Sequence, residues 1–179
     1  GDGAGILIRV PDTFLRRELA QQGVTLPPAG QYGVACVFMP RDAKERADCE
    51  RGMEDVVRAE GQSVLGWRTV PTDSKGADVG PTALAVEPVI RQLFIGRNPA
   101  ITDDLGFERK LFVIRRVASN KLRYTLPNFE PRNTLFFITS LSARTLIYKG
   151  MLTSMQLENY FTDLNAPDFE SALAQVHSR

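Results

Sequence analysis

The sequence predicts an α+β fold in which helices cover the outside of a layered sheet. Predicted strands occur both next to one another and separated by helices, an order that disfavours a doubly wound parallel fold. Residues 32–40, Y-G-V-A-C-V-F-M-P, form a nearly continuous apolar run, which is typical of a strand buried on both faces. The 179 residues are enough for one packed domain, and we expect residues 1–179 to form a single domain.

The first strand and helix are predicted close to the start of the chain. Residues 4–10, A-G-I-L-I-R-V, form a short apolar run that predicts a strand. Pro11 ends this strand, and Asp12 begins a helix. The apolar residues of that helix share one face: Phe14, Leu15 and Leu19.

A second helix is predicted after strand 32–40. Asp42, with Glu45 three residues later, forms a capping-box pattern at its start, and Gly61 ends it. Its apolar residues repeat at helical spacing: Cys49, Met53, Val56 and Val57.

The middle of the chain continues the mixed order. Apolar runs predict strands at 63–71 and 88–97, with a polar, glycine-bearing loop at 72–81 between them. Residues 103–118 are predicted to be a helix, and the polar segment 119–133 a surface loop or short helix. The helix is indicated by apolar residues at helical intervals: Phe107, Leu111, Ile114 and Ala118.

The last third of the chain adds strands and one short helix. Thr153 and Gln156 form a second capping-box pattern, which opens a helix over 153–160. Strands are predicted at three places: 133–142, 143–150 and 171–179.

Composition and charge exclude several classes of protein. The 22 lysines and arginines nearly balance 21 aspartates and glutamates, so the net charge of +1 offers no basic field for nucleic acid or a membrane surface. No apolar run approaches the ~18 residues of a membrane span, and the given residues lack the basic start and apolar core that are typical of a signal peptide. We therefore expect a cytoplasmic protein without nucleic-acid or membrane partners.

The chain begins unusually, with G-D-G-A-G at 1–5 and no methionine. This segment does not match a phosphate-binding loop, because no strand precedes it, Ile6 stands where the last glycine of the fingerprint is needed, and a strand rather than a helix follows. Its small residues favour the close approach of another backbone or a catalytic group. Because a strand follows so near the terminus, we interpret the chain as a piece of a longer fold.

Nucleophiles and metal ligands are few. Cys36 lies in an apolar strand and Cys49 on an apolar helix face, so both are predicted to be packing residues. Two cysteines are too few for a disulfide framework and have no metal-ligand spacing. His177 is the single histidine, and no nucleophile-elbow sequence surrounds Ser140 or Ser142. The sequence predicts no catalytic nucleophile and no metal site within this chain.

Several other side chains have candidate roles. Trp67 is expected to be a packing anchor, with Arg68 on the opposite face of the same strand. Arg144 and Lys149 are five residues apart on a strand and face opposite sides, so at least one is expected to be solvated. Arg179 ends a strand of small residues, where paired N–H donors would suit a substrate carboxylate.

Several segments of the sequence carry a resemblance to one family. They are G-D-G-A-G-I-L-I at 1–8, G-W-R-T-V-P at 66–71, E-R-K-L-F-V-I-R-R at 108–116, S-L-S-A-R-T-L-I-Y-K-G-M at 140–151, Y-F-T-D-L at 160–164 and V-H-S-R at 176–179. Together they resemble the glutamine amidotransferase domain of glutamate synthase large subunits. The matches follow the family's order and spread over essentially the whole chain.

The resemblance implies a fold and a chemistry. The fold is the N-terminal-nucleophile type, two antiparallel sheets between helices, which this chain would contain incompletely. In that family an N-terminal cysteine attacks the side-chain amide of glutamine, forms a thioester and releases ammonia, with the terminal α-amine as base. Arg179 matches the arginine that holds the α-carboxylate of glutamine. The glycine-rich segment beside the nucleophile is matched by Asp2, Gly3 and Gly5.

The sequence departs from the family pattern at two points. Residue 1 is Gly1 rather than cysteine, and no Asn-Gly pair is present to supply oxyanion donors. We expect both features to lie outside this segment, so that the isolated chain lacks glutaminase activity while the parent protein has it. Catalytic residues are therefore assigned to none of the 179 positions.

The resemblance also implies cofactors and partners for the parent protein. These are FMN, an iron–sulfur cluster and a reduced nicotinamide or ferredoxin donor, used to make glutamate from 2-oxoglutarate. Two cysteines thirteen residues apart provide no cluster motif, so none of these cofactors is expected to bind this chain. The expected partners are glutamine, the remainder of the large subunit and a small subunit.

Two other classes of function remain open from the sequence. One is a non-catalytic binding module that keeps the scaffold and Arg179. The other is an interaction domain in which the strand S-A-R-T-L-I-Y-K-G pairs with a partner chain through an exposed edge.

Overall fold

The computed structural model describes residues 3–125 and 136–169, together with the backbone of 175–178. Its strands are β1 (Ala4–Arg9), β2 (Tyr32–Met39), β3 (Ser63–Thr69), β4 (Val89–Gly96), β5 (Phe137–Ser142), β6 (Thr145–Gly150) and β7 (Gln175–Ser178). Its helices are α1 (Asp12–Ala20), α2 (Ala43–Ala59), α3 (Pro81–Ala85), α4 (Asp104–Thr125) and α5 (Leu157–Tyr160), followed by a 3₁₀ helix over Thr162–Asn165.

The strands form two antiparallel sheets. One has three strands in the order β6-β1-β7, and the other has four in the order β3-β4-β2-β5. Helices α2 and α4 pack on one face of the four-stranded sheet, while its other face turns toward the three-stranded sheet and α1. The predicted α+β architecture of layered sheets with helices outside is confirmed.

Strand β2 lies at the centre of this arrangement. Val34 and Cys36 point into the core between the sheets, whereas Ala35 and Val37 point into the core beneath α2 and α4. Both faces are buried because β2 pairs with β4 and β5 and is covered above and below. The predicted burial of both faces of 32–40 is correct, although the strand belongs to an antiparallel sheet.

The two capping-box patterns of the sequence both form side-chain hydrogen bonds to the backbone. The Asp42 carboxylate accepts a hydrogen bond from the Glu45 backbone N–H at 2.9 Å, which caps α2. Before α5, the Gln156 side chain accepts from the Thr153 N–H at 2.9 Å, and the Thr153 hydroxyl accepts from the Gln156 N–H at 3.3 Å. The cap predicted at Asp42 is confirmed. The Thr153 and Gln156 bonds close a turn instead, and α5 begins only at Leu157, without a side-chain cap, so the helix predicted over 153–160 is shorter than expected.

Helix α4 is longer than predicted. Its buried stripe continues past the predicted end at 118, because Leu122 falls on the same face and is fully buried. Helix α3 was not predicted and follows directly on the polar loop. Its five residues, with Pro81 in the first turn, bury none of their side chains, so they give no periodic signal.

Strands β5 and β6, adjacent in sequence, belong to different sheets. The corner between them is held by Glu108 of α4, whose carboxylate accepts from the Ala143 N–H at 2.6 Å and the Ser142 hydroxyl at 2.9 Å. The same hydroxyl accepts from the N–H of Arg144 at 2.9 Å. A helix side chain is thus hydrogen-bonded to the corner where the chain passes from one sheet to the other.

None of the helices in the described ranges combines the length and apolar character that a membrane-spanning helix needs.

Candidate functional site

The first residue of β1 and the last residues of β6 and β7 lie side by side at one end of the three-stranded sheet, which we call the site edge. Strand β1 is central, and both neighbours run antiparallel to it. Ala4 lies opposite Gly150 on one side and opposite Ser178 on the other. The glycine-rich start and the V-H-S-R segment, predicted as site segments from opposite ends of the chain, are therefore neighbours in the fold.

Gly5 marks a close approach between two strands. A Cβ atom placed on it would lie 3.0 Å from the Cβ of Lys149 and 3.4 Å from the carbonyl oxygen of Tyr148. These atoms belong to the strand itself, so a larger residue at position 5 would push β6 away from β1. This geometry agrees with the expectation that small residues here admit another backbone. Gly3 is exposed and lies farther out, beside the carbonyl oxygen of Gly150.

A groove of about 610 Å³ opens beside this edge. Its walls come from β1 between Gly3 and Leu7, from Phe38 and from the end of β6. Among the described residues, Lys149 is the one charged side chain that lines it, and its ammonium lies 4.8 Å from the centre of the Phe137 ring. A small molecule in this groove would therefore meet backbone, apolar side chains and one cation.

Two of the predicted site residues, Asp2 and Arg179, lie outside the described residues, as does the side chain of His177. Ser178, which precedes Arg179, is placed by its backbone pairing with Ala4. The structure thus locates the strand that leads to Arg179 and leaves the role of that arginine a prediction.

A buried polar network lies between the two sheets, and sequence reasoning missed it. The Arg68 guanidinium donates to both carboxylate oxygens of Asp163, at 2.7 and 2.8 Å. It also donates to the Glu18 carboxylate at 3.0 Å and to the Gln92 side-chain oxygen at 3.0 Å. The Tyr148 hydroxyl donates to Asp163 at 2.7 Å. The network therefore joins both sheets, α1 and the 3₁₀ helix.

Burial and charge shift the pKa values of two groups in this network, in opposite directions for Arg68 and in the same direction for Tyr148. Burial lowers the pKa of Arg68, but its hydrogen bond with Asp163 and the charge of that carboxylate outweigh this, and the pKa lies above its ordinary value. Burial, followed by the charge of Asp163, raises the pKa of Tyr148 well above its usual range. Arg68 is thus a fixed cation and Tyr148 a fixed hydrogen-bond donor at ordinary pH.

The sequence held one partial signal for this network. Arg68 was expected on the opposite face of its strand from Trp67, and it does face the core between the sheets while Trp67 packs toward α2. Asp163 lies 95 residues away in sequence. No periodicity connects positions that far apart, so the pairing could not be predicted.

The remaining candidate side chains lie away from the groove or on its wall. Trp67 is partly buried and packs under the Arg91 guanidinium, which agrees with its prediction as a packing residue. Arg144 is exposed, whereas Lys149 is half-buried at the groove. The expectation that at least one of these two cations is solvated is therefore met.

Both cysteines are free and buried. Burial raises the pKa of Cys36 to about 11, against smaller opposing effects of hydrogen bonds from Gln92 and Ser140. Burial, followed by the charges of neighbouring carboxylates, raises the pKa of Cys49 to about 12. Neither thiol is placed or ionised to act as a nucleophile at neutral pH. Within the described residues, no group of three or more potential ligands could hold a metal ion.

We expect both thiols to resist modification in the folded chain. A thiol with a pKa near 11 has on the order of one thiolate in 10³ molecules at pH 8, and burial blocks the reagent as well. Reaction with a chromogenic disulfide reagent at pH 8 should be at least ~100-fold slower in the native chain than in guanidinium chloride. The native rate should rise as the pH approaches the raised pKa. Rapid modification of either thiol at pH 8 in the native chain would contradict this prediction.

Comparison with known proteins gives one consistent family. The model of the class-II glutamine amidotransferases matches residues 1–179. The sequence is 41% identical over 179 residues to the glutamate synthase [NADPH] large chain of Bacillus subtilis, covering 100% of this chain and 11% of that protein. It is 35% identical over 184 residues to the glutamate synthase [NADH] of Schizosaccharomyces pombe, covering 100% and 8%.

The name of a third relative specifies ferredoxin as its electron donor. The ferredoxin-dependent glutamate synthase 2 of Synechocystis is 32% identical over 180 residues, covering 100% of this chain and 11% of that protein. The chain thus spans about a tenth of the length of the curated relatives that it matches.

Proposed function

The chain belongs to the class-II glutamine amidotransferases, and from that premise we propose that it forms part of the glutaminase site of a glutamate synthase large subunit. In that protein glutamine is hydrolysed to glutamate and ammonia, and the ammonia is used to make glutamate from 2-oxoglutarate. The single observation that carries the proposal is the pairing of β1 with β7, which brings the glycine-rich start next to the strand that leads to Arg179.

Arg179 is proposed to hold the α-carboxylate of glutamine. A guanidinium offers two parallel N–H donors to a carboxylate, which fixes both its charge and its orientation. Support comes from the backbone of β7, which delivers the residue before Arg179 to the edge where Ala4 begins β1.

Asp2, Gly3 and Gly5 are proposed to lie beside the nucleophile. Gly5 supports this role because its missing side chain lets β6 approach β1 within van der Waals contact. The nucleophile itself is assigned to neither Cys36 nor Cys49, since both are buried and have raised pKa values. We propose that this chain supplies the carboxylate anchor and the backbone beside the reacting group.

The cofactors of the synthase reaction are proposed to bind outside these residues. An iron–sulfur cluster needs about four thiolate ligands, and the described residues do not fit one, because Cys36 and Cys49 lie in separate cores. FMN, the cluster and the electron donor would supply the redox chemistry elsewhere in the large subunit or in a small subunit. The names of the relatives include NADPH, NADH and ferredoxin donors.

We also propose that residues 1–179 form one domain and that the protein acts in the cytoplasm. The two cores share the four-stranded sheet, which supports a single folding unit. The two free thiols suit a reducing compartment.

The test is substitution of Arg179 in a full-length protein that carries this chain. Loss of a paired charge contact costs ~2–4 kcal/mol, so Arg179→Ala should raise the KM for glutamine roughly 30- to 1,000-fold. Arg179→Lys should recover only a part, because lysine offers no paired donors. Arg144→Ala, at an exposed arginine away from the groove, should leave the KM unchanged.

Three outcomes would contradict the proposal. A full-length protein that releases no ammonia from glutamine would contradict the glutaminase function. Calorimetric glutamine binding without hydrolysis would favour the non-catalytic binding module instead. An Arg179→Ala variant with an unchanged KM would remove the carboxylate anchor from this position.

A further inference from the structure

Helix α4 carries a second apolar face that the described fold leaves uncovered. Its inner face is fully buried against the four-stranded sheet. On the opposite side, Phe112 is 58% exposed and Leu105 49% exposed, with Val113 and Val117 beside them. We call this surface the outer face of α4; its members are Leu105, Arg109, Phe112, Val113, Arg116 and Val117.

The members of the outer face are contiguous on the helix. Leu105, Arg109, Phe112 and Arg116 follow one another at intervals of four, three and four residues, so they form one stripe. Val113 and Val117 form a second stripe next to it. The face runs about 18 Å along the helix. Four large apolar side chains in one such patch are more than scattered surface residues, and contiguous exposed apolar patches mark interaction sites.

Two cations lie within this apolar patch. Arg109 and Arg116 are exposed, and neither has a carboxylate within ion-pair distance among the described residues. Other arginines are paired, as Arg91 is with Glu50 and Arg97 is with Asp104. An uncovered surface of this kind matches a partner that is apolar and carries carboxylates at matching positions.

We propose that the outer face of α4 is a docking surface for an apolar, acidic patch on another part of the same polypeptide. This rests on the proposed function only in so far as it takes the chain to be part of a longer synthase. The choice of occupant follows from two observations: the relatives are roughly ten times longer than this chain, and the face is positively charged within an apolar surround. The face lies on α4, one of the two helices that cover the four-stranded sheet, whereas the groove lies beside the three-stranded sheet.

The first experiment measures protection of Phe112 in the full-length protein. Hydroxyl-radical footprinting should modify the native Phe112 at less than about one-tenth of its rate in the unfolded protein, because docking covers the ring. A native rate near one-half of the unfolded rate, in keeping with the 58% exposure of the side chain, would overturn the proposal. This readout needs no enzymatic activity, so it is independent of the proposed glutaminase function.

The second experiment tests the charge of the partner. The double variant Arg109→Glu and Arg116→Glu should raise the footprinting rate of Phe112 at least about fivefold, with the KM for glutamine unchanged, because like charges would then face each other. The matched control, Arg41→Glu and Arg51→Glu at exposed arginines of the α2 region, should leave the rate of Phe112 unchanged. An unchanged footprinting rate of Phe112 in the Arg109/Arg116 variant would overturn the proposal that the partner surface is acidic.

Concentration separates an intramolecular partner from a second copy. Protection of Phe112 should be the same at high and low protein concentration and should not follow a change in sedimentation. Protection that disappears on dilution together with a dimer would assign the face to self-association and overturn docking within one polypeptide.

Discussion

Replacing Asp163 by alanine is expected to lower the free energy of unfolding of this chain by about 3–5 kcal/mol. Asp163 and Arg68 are each about 4% exposed, and they share two short hydrogen bonds. Without the carboxylate, Glu18 is the one charged contact left to the Arg68 guanidinium among the described residues, and the Tyr148 hydroxyl loses its acceptor. A buried charge that has lost its partner is among the most destabilising single defects in a protein.

Urea unfolding of the variant and the parent chain measures this loss. The matched control is Asp168→Ala, five residues after Asp163, where the carboxylate pairs with the exposed Arg17. We expect that control to change stability far less, because water screens an exposed pair. Equal losses in the two variants would show that the buried pair contributes nothing special.

A double variant that removes both charges distinguishes the loss of the ion pair from the cost of leaving one buried charge unpaired. Arg68→Met with Asp163→Leu removes both charges at once and should recover much of the stability lost in Asp163→Ala, because no uncompensated charge stays in the core. The recovery cannot be complete, since Gln92, Tyr148 and the partly buried Glu18 carboxylate lose partners in the same variant. A double variant as unstable as the single one would contradict this explanation.

Phe107→Ala is expected to destabilise the chain by about 3–5 kcal/mol as well. The ring is fully buried in the core between α4 and the four-stranded sheet, and the Arg97 guanidinium lies 5.8 Å from its centre. Truncation removes a large apolar surface and leaves a cavity that rigid neighbours in the sheet cannot fill. Since folded domains have only about 5–15 kcal/mol of stability, the variant should unfold at much lower urea concentration.

Phe112→Ala on the same helix is the matched control. The Phe112 ring is mostly exposed and belongs to neither core cluster of the described residues, so its truncation should change the unfolding free energy by less than about 0.5 kcal/mol. Thermal or urea unfolding of the two variants side by side distinguishes the inner face of α4 from its outer face. A large loss in Phe112→Ala would mean that this face is already packed within the chain.

The local elements of the fold could be predicted because their causes are local. The helical spacing of Phe14, Leu15 and Leu19 placed α1, and Asp42 placed the start of α2. The buried stripe of α4 was visible as far as Ala118, but Leu122 lies in a polar stretch whose apolar signal was too weak to extend the helix. Periodicity reports which face is buried and says little about where a helix ends.

The candidate site could be predicted only in part. The glycine-rich start and the V-H-S-R segment were identified from the sequence, yet their contact depends on the pairing of β1 with β7 across most of the chain length. Strands β5 and β6, which follow each other directly, enter different sheets, and Glu108 of α4 hydrogen-bonds to the corner between them. Neither the pairing of β1 with β7 nor the change of sheet between β5 and β6 can be predicted from the composition of the segments involved.

The sequence by itself determined the class of fold, the type of its elements and the family. The periodicity of apolar residues, the helix caps and the family segments are all local features of the sequence. Only the tertiary structure decided which strands pair, where the buried bridge between Arg68 and Asp163 forms and which face of α4 is left uncovered. The physical reason is that these contacts join residues far apart in the chain. Their formation depends on the packing of whole layers rather than on the conformational preferences of neighbouring residues.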